Sequence, residues 1–241
     1  MIRTSLLKTS LNDLVRTLVP KLYSTMECEN FVQLGKKIVA AAQNYKSLIR
    51  ERNLETPTFP VMFLKPTSSY IVEGQTIEVP KDFDVYEEVE LGVIIGKKGK
   101  NIKPSEVMDH IAGYCLALDL TAVDDMKNSR AKGLPWTFGK GFDTACPVSK
   151  FIPKSDLKDP TSLKIWCKVN DKLLQDCLLS DMVFTMEQMI SYTSRYMTLE
   201  PNDLILTGSP GNNGPIRPGD VVEAGLGDIM TIKFPVKSME N

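Results

Sequence analysis

Histidine is almost missing from this sequence. His110 is the single one in 241 residues, which rules out a metal site built from two histidines of one chain. No nucleophilic motif flanks it, so it reads as a structural residue. Cysteine is scarce and lacks pairing patterns: Cys28, Cys115, Cys146, Cys167 and Cys177 make an odd number with no Cys-x-x-Cys spacing. That argues against a closed disulfide framework and a zinc ribbon, and it suits a reducing compartment. Charge of one sign is lacking too. A net charge of -1 offers no basic surplus for a nucleic-acid partner. No apolar run approaches the length that spans a bilayer, so no membrane partner is expected. Repeats, low-complexity stretches and internal linkers are also absent.

What is present is an ordinary globular composition, 42% hydrophobic and 24% charged. The length allows one large domain or two small ones. The N-terminal end differs from the rest. Between Met1 and Ser24, Arg3, Lys8, Arg16 and Lys21 accompany one acid, Asp13, and leucines and valines recur at helical spacing among Ser and Thr. A basic, amphipathic, hydroxyl-rich start reads as a mitochondrial transit segment over residues 1–24. An ordinary helix in a cytoplasmic protein is the alternative.

The chemistry concentrates in Glu88-Val89-Glu90 and in Asp119. In a strand, Glu88 and Glu90 share one face while Val89, Leu91 and Val93 take the other. Neighbouring carboxylates repel unless a cation or a proton lies between them. Asp119 ends the apolar run Tyr114-Cys115-Leu116-Ala117-Leu118, where a bare charge is costly. Spacing alone leaves two readings open. One is the solvated face of an edge strand. The other is a set of three oxygen donors for a hard cation, Mg²⁺ first and Mn²⁺ or Ca²⁺ otherwise. Residues 89–96 are too apolar for an edge, so the acidic face is expected to line a cavity.

Residues 37–42 read as a buried strand, with Asn44 capping a short helix from Tyr45 to about Arg52. Short strands follow at 61–66 and 76–80. Ser105 caps an expected amphipathic helix that carries His110 and ends at Gly113. Thr121 and Asp124 have capping-box spacing for a helix reaching about Lys132. Residues 133–143 form a glycine-rich loop around Lys140, a favourable setting for chemistry. Alternation over 163–169, the Asn170-Asp171 turn and Leu173-Leu174 make a hairpin. Thr185 and Gln188 form a capping box for a helix to about Tyr196. Strands at 204–207, 221–224 and 230–234 surround a second glycine-rich loop at 208–215. Cys115 and Cys167 are core residues. The fold class is α+β, mostly β, with a few peripheral helices.

Several segments together resemble the fumarylacetoacetate hydrolase family over roughly residues 35–237. They are Phe63-Leu64-Lys65-Pro66, Glu88-Val89-Glu90-Leu91-Gly92, Leu118-Asp119-Leu120-Thr121-Ala122, Gly133-Leu134-Pro135-Trp136-Thr137, Lys140 and Leu204-Ile205-Leu206-Thr207-Gly208-Ser209-Pro210. The resemblance is to its small mitochondrial branch, described as acylpyruvases, oxaloacetate decarboxylases and oxaloacetate tautomerases. It implies a β-roll, usually a homodimer, and Mg²⁺ (with Mn²⁺ as the alternative) held by Glu88, Glu90 and Asp119. It further implies that Lys140 stabilises an enolate or oxyanion and that Thr207, Gly208 and Ser209 hold a substrate carboxylate.

The departures are informative. The resemblance expects a His–Glu dyad that activates water, and here the His position is Leu48 while Glu51 is in place. Basic groups expected at two other positions are Gln43 and Val123. Leucine cannot activate water, which disfavours hydrolysis. The expected activity is metal-dependent enolate chemistry on a small 2-oxo acid, with Lys140 and Glu51 moving protons. Oxaloacetate tautomerisation stands first, decarboxylation second and acylpyruvate hydrolysis third. A metal-binding pseudoenzyme is the alternative. A phosphate site at 208–214 lacks the Gly-x-x-x-x-Gly-Lys pattern.

Overall fold

The computed structural model describes residues 28–240; the transit segment read at 1–24 lies outside them. A helical turn α1 (Phe31–Leu34) precedes β1 (Ile38–Ala42), α2 (Lys46–Glu51), β2 (Val61–Lys65), β3 (Tyr70–Val72), β4 (Ile77–Val79) and β5 (Val85–Tyr86). Two long strands follow, β6 (Val89–Ile95) and β7 (Ile111–Leu118). Next come β8 (Thr121–Ala122), α3 (Val123–Ala131), α4 (Thr137–Gly141), β9 (Cys146–Val148) and β10 (Ile152–Pro153). The chain ends with β11 (Lys164–Val169), β12 (Lys172–Leu178), α5 (Met186–Tyr196), β13 (Leu204–Leu206), β14 (Val221–Leu226) and β15 (Met230–Ser238).

The larger sheet has the order β2-β1-β13-β6-β7-β9-β3, with β10 also paired to β7. A second sheet runs β12-β11-β14-β15-β4, and β5 and β8 form a small ribbon. Strand β6 lies between β13 and β7 and is buried at every position. Its alternation splits the core in two. Val89, Leu91, Val93 and Ile95 join the main core with Ile165, Val222 and Phe234 of the second sheet. Ile94 packs on the other face with Phe31, Cys115 and Leu204. The expected fold class holds: strands dominate and helices are few.

The 170–171 hairpin turn is present, with left-handed φ values of 50° and 65°, as is the Thr185–Gln188 capping box. Cys115 and Cys167 are buried in the core. Several local readings are corrected. Asn44 does not cap α2. Its Nδ2 donates to the carbonyls of Phe184 (3.0 Å) and Thr207 (2.8 Å), and its Oδ1 accepts the Phe184 N–H at 2.8 Å. Asp181 holds that helix start instead, accepting the Ser47 N–H at 2.8 Å. Thr121 belongs to β8 and donates to Glu88 Oε2 at 2.9 Å, while Asp124 accepts the Asp84 N–H at 3.1 Å. Pro104–His110 is a tight 3-10 segment rather than an amphipathic helix, and Lys103, not Ser105, precedes it. Gly113 does not end it; it sits within β7, where a Cβ would lie 2.2 Å from the Ile152 carbonyl oxygen. Residues 133–143 are not a loop throughout, because Thr137–Gly141 is helical.

Candidate active site

The β6–β7 ladder continues one step beyond the strands: the Asp119 N–H donates to the Glu88 carbonyl at 2.8 Å. Asp119 therefore lies opposite Glu88, as Ala117 lies opposite Glu90. The two-residue period then brings all three carboxylates to one face. One oxygen of each lies within 4.8 Å of the others. Glu90 and Asp119 are each 1% exposed, and Glu88 is half-buried. The solvated-edge reading fails for these residues, because β6 is interior to its sheet.

Two lysines enter this cluster. Lys140, on α4, donates to Glu88 Oε2 at 2.8 Å and to Asp119 Oδ2 at 2.5 Å. It also lies 4.7 Å from the centroid of the Phe63 ring. Lys65 ends β2 fully buried and donates to Asp119 Oδ1 at 2.7 Å and to the Lys140 carbonyl at 2.5 Å. The sequence reading assigned Lys65 no role. Its signal was a lysine ending an apolar strand, a charge that burial tolerates only when paired.

The electrostatics divide the acids. Burial, then the nearby Asp119, pushes the Glu90 carboxyl well above its ordinary range. Burial pushes Asp119 up as well, but Lys140 and Lys65 outweigh it and leave Asp119 below its usual value. Burial works against the Lys140 ammonium, yet Asp119 and Glu88 more than compensate and raise its pKa. An all-oxygen set of three carboxylates, two of them buried, fits a hard divalent cation. That fit rests on these residues: Glu90 resists ionising without more positive charge beside it.

The glycine-rich loop after β13 is tied to four glutamates. Gly208 N–H donates to Glu90 Oε2 (2.7 Å), Asn212 N–H to Glu51 Oε2 (2.6 Å), Asn213 Nδ2 to Glu88 Oε1 (2.9 Å) and Gly214 N–H to Glu87 Oε1 (3.0 Å). Gly208 adopts φ +91°, and a Cβ there would lie 2.8 Å from Asn44, so glycine is required on two counts. Thr207 directs its hydroxyl to the Leu91 carbonyl at 2.9 Å. Ser209 accepts a hydrogen bond from Gln175 Nε2 at 2.9 Å, and Gln175 Oε1 accepts the Val89 N–H at 2.9 Å. Gln175 and Asn213 were not singled out from the sequence, because their partners are remote along the chain.

A cavity of about 100 Å³ opens onto the cluster, with Gln43, Leu48, Glu88, Glu90, Trp136, Lys140 and Ser209 in its wall. Of the residues expected to bind a substrate carboxylate, Ser209 lines it, whereas Thr207 and Gly208 support it from behind. Glu51 is not in the wall, and its carboxylate is engaged by the Asn212 amide. A Cβ at Gly211 would lie 2.0 Å from Glu51 Oε2, which shows how closely that carboxylate meets the loop. Leu48 contributes an apolar side chain to that wall. A larger apolar groove of about 630 Å³ adjoins the cavity and shares Trp136 and Lys140 with it.

Residues 37–237 match the model of the fumarylacetoacetate (FAA) hydrolase C-terminal family. The chain is 46% identical over 198 residues to the mitochondrial oxaloacetate decarboxylase of Dictyostelium discoideum, covering 81% of this chain and 91% of that protein. It is 43% identical over 218 residues to the mitochondrial oxaloacetate tautomerase FAHD1 of Mus musculus, covering 90% and 99%. Among solved structures, it is similar to fumarylpyruvate hydrolase from Pseudomonas aeruginosa in complex with Mn²⁺ and pyruvate. The TM-score is 0.80 at 26% identity, over 85% of this chain and 91% of that one.

Proposed function

The chain belongs to the fumarylacetoacetate hydrolase family, and on that premise we propose that it is an Mg²⁺-dependent enzyme that interconverts the keto and enol forms of oxaloacetate. The observation that carries this reading is the convergence of Glu88, Glu90 and Asp119 with the Lys140 ammonium at the floor of a small cavity. The names of the relatives, oxaloacetate tautomerase and oxaloacetate decarboxylase, support the substrate class. That those relatives are named mitochondrial supports a mitochondrial location. Exposed Leu64, Leu134, Tyr196 and Met197 in the wall of the adjoining groove support pairing with a second copy of the chain.

Glu88, Glu90 and Asp119 would hold the cation, which supplies a Lewis acid that acidifies the C–H beside a keto group. Lys140 places a fixed positive charge where the negative charge of an enolate develops, and its ammonium carries a proton beside Glu88 and Asp119. Lys65 fixes the Asp119 carboxylate from the opposite oxygen. Glu51, held on the loop amide, keeps Asn212 in place; proton transfer is left to Lys140. Leu48, which cannot activate water, stands in the wall, so tautomerisation ranks above acylpyruvate hydrolysis. Decarboxylation of oxaloacetate passes through a similar enolate and stands second.

The test follows the ultraviolet absorbance of enol-oxaloacetate with Mg²⁺, beside a Glu88→Ala/Glu90→Ala variant, while pyruvate is assayed in the same tubes. Faster enol loss that requires both glutamates and releases no pyruvate is the expected result. Pyruvate release would transfer the assignment to decarboxylation. Rates equal to buffer alone, for oxaloacetate and then for an acylpyruvate, would leave a metal-binding pseudoenzyme.

A further inference from the structure

Two arginines share the cavity wall with the acidic cluster. Arg52 is the C-terminal capping residue of α2, and Arg130 lies in the last turn of α3. Their surroundings differ from those of the lysines below them. Lys65 and Lys140 are each paired with a carboxylate. Arg52 instead donates from Nη2 to a neutral amide, Asn213 Oδ1, at 2.6 Å. Arg130 stacks on Trp136, with its guanidinium 4.8 Å from the ring centroid. Among the described residues, neither guanidinium lies within ion-pair distance of a carboxylate.

A guanidinium offers five N–H donors in a planar fork that matches a carboxylate. Arg52 and Arg130 leave most of those donors without a protein acceptor, and both are already oriented, one by Asn213 and one by Trp136. Orientation before binding lowers the entropy lost when a ligand is gripped. The cavity is only about 100 Å³, so a ligand with one end at the carboxylate cluster extends toward the residues of this same wall. Without them, Lys140, already paired with Glu88, would be the one basic side chain of this wall to offset Glu88, Glu90 and a doubly charged anion. Arg52 is also linked to the cluster through one residue, because Asn213 Nδ2 donates to Glu88 Oε1 at 2.9 Å.

We propose that Arg52 and Arg130 bind the second carboxylate of a 2-oxo dicarboxylate whose 2-oxo acid end lies at Glu88, Glu90 and Asp119. The pair thereby sets a preference for dianions over 2-oxo monocarboxylates. This assignment rests on the proposed 2-oxo acid chemistry of the site and adds the source of its selectivity.

The experiment compares the full-length protein with Arg52→Gln/Arg130→Gln and Arg52→Lys/Arg130→Lys variants, all with Mg²⁺. Calorimetry measures binding of 3,3-difluoro-oxaloacetate, which cannot enolise, and of pyruvate, which lacks the second carboxylate. The Gln pair is expected to bind the dianion about tenfold or more weakly, as for a lost charge-assisted hydrogen bond, and pyruvate nearly as before. The Lys pair should recover much of the loss, and KM for oxaloacetate should rise in the Gln pair far more than kcat falls. Equal weakening for both ligands, or no preference for the dianion in the wild-type protein, would overturn the assignment. Tautomerase activity with an unchanged preference in the Gln pair would sink this inference alone. A preference that the Gln pair loses, in a protein without turnover, would sink the tautomerase reading alone.

Discussion

The two sheets use the same residue types in opposite ways. At the end of the larger sheet, Lys65 and Lys140 meet Asp119 at 2.7 and 2.5 Å with side chains almost sealed from solvent. On the smaller sheet, Lys233 meets Glu223 at 3.6 Å and Lys164 meets Asp176 at 3.0 Å, with both lysines mostly exposed. Strand β15 alternates buried and exposed positions along much of its length, whereas β6 is buried throughout. Burial decides what each pair does. Exposed charges are hydrated whether or not they meet, so pairing changes little. Buried charges have lost their water, and each depends on its partner for the whole of its compensation. The first arrangement keeps a sheet surface hydrated; the second leaves a demand for positive charge that a divalent cation suits.

The comparison breaks most easily at Lys65. Lys65→Met removes the donor to Asp119 Oδ1 and leaves a buried carboxylate short of a partner, at a cost of about 3–5 kcal/mol. Urea unfolding reads the loss. Lys65→Met/Asp119→Asn should recover part of it, because the uncompensated charge is gone. A single variant as stable as the wild type would show that the buried pairs behave like the surface ones.

A buried acid near the cluster sharpens the same contrast through pH. Glu87 is fully buried, its Oε1 accepts the Gly214 N–H, and its Oε2 has no hydrogen-bond partner. Burial pushes its carboxyl up to about 8 from an ordinary 4.5, although the Gly214 amide and the Cys167 thiol pull the other way. The folded chain therefore holds a proton that the unfolded chain releases between those two values. Stability then falls as pH rises from about 4.5 to about 8, by at most about 1.4 kcal/mol per pH unit from this group, and levels off above. Glu87→Gln carries no titrating proton and should flatten that part of the profile in metal-free protein. An unchanged slope would remove Glu87 as its source.

The cluster was legible in the sequence because a charge inside an apolar strand is costly enough to demand a reason. Glu90 and Asp119 announce themselves that way, and the strand period then fixes their common face. The Asn170-Asp171 turn and the Thr185–Gln188 box were legible because each is complete within four residues. Asn44 and Thr121 carry equally plausible local signals and meet distant partners instead: Thr207 and Glu88. A capping bond contributes about 1 kcal/mol, too little to hold a side chain against a buried acceptor that would otherwise go unpaired. Such competitions are decided by which loops the fold brings together, and spacing does not record that.

The smallest expected effect closes the contrast. Lys233 and Glu223 are direct cross-strand neighbours in the β14–β15 register, the geometry in which opposite charges help each other most. Lys233 nevertheless remains 62% exposed, and its ammonium stays 3.6 Å from the carboxylate. Water and salt screen the pair at that distance, and two long side chains lose rotamer freedom to hold it. Lys233→Ala should therefore change unfolding free energy by less than about 0.5 kcal/mol, and the change should fade as salt is added. A salt-resistant loss approaching that of Lys65→Met would mean that register, rather than burial, sets the strength of these pairs.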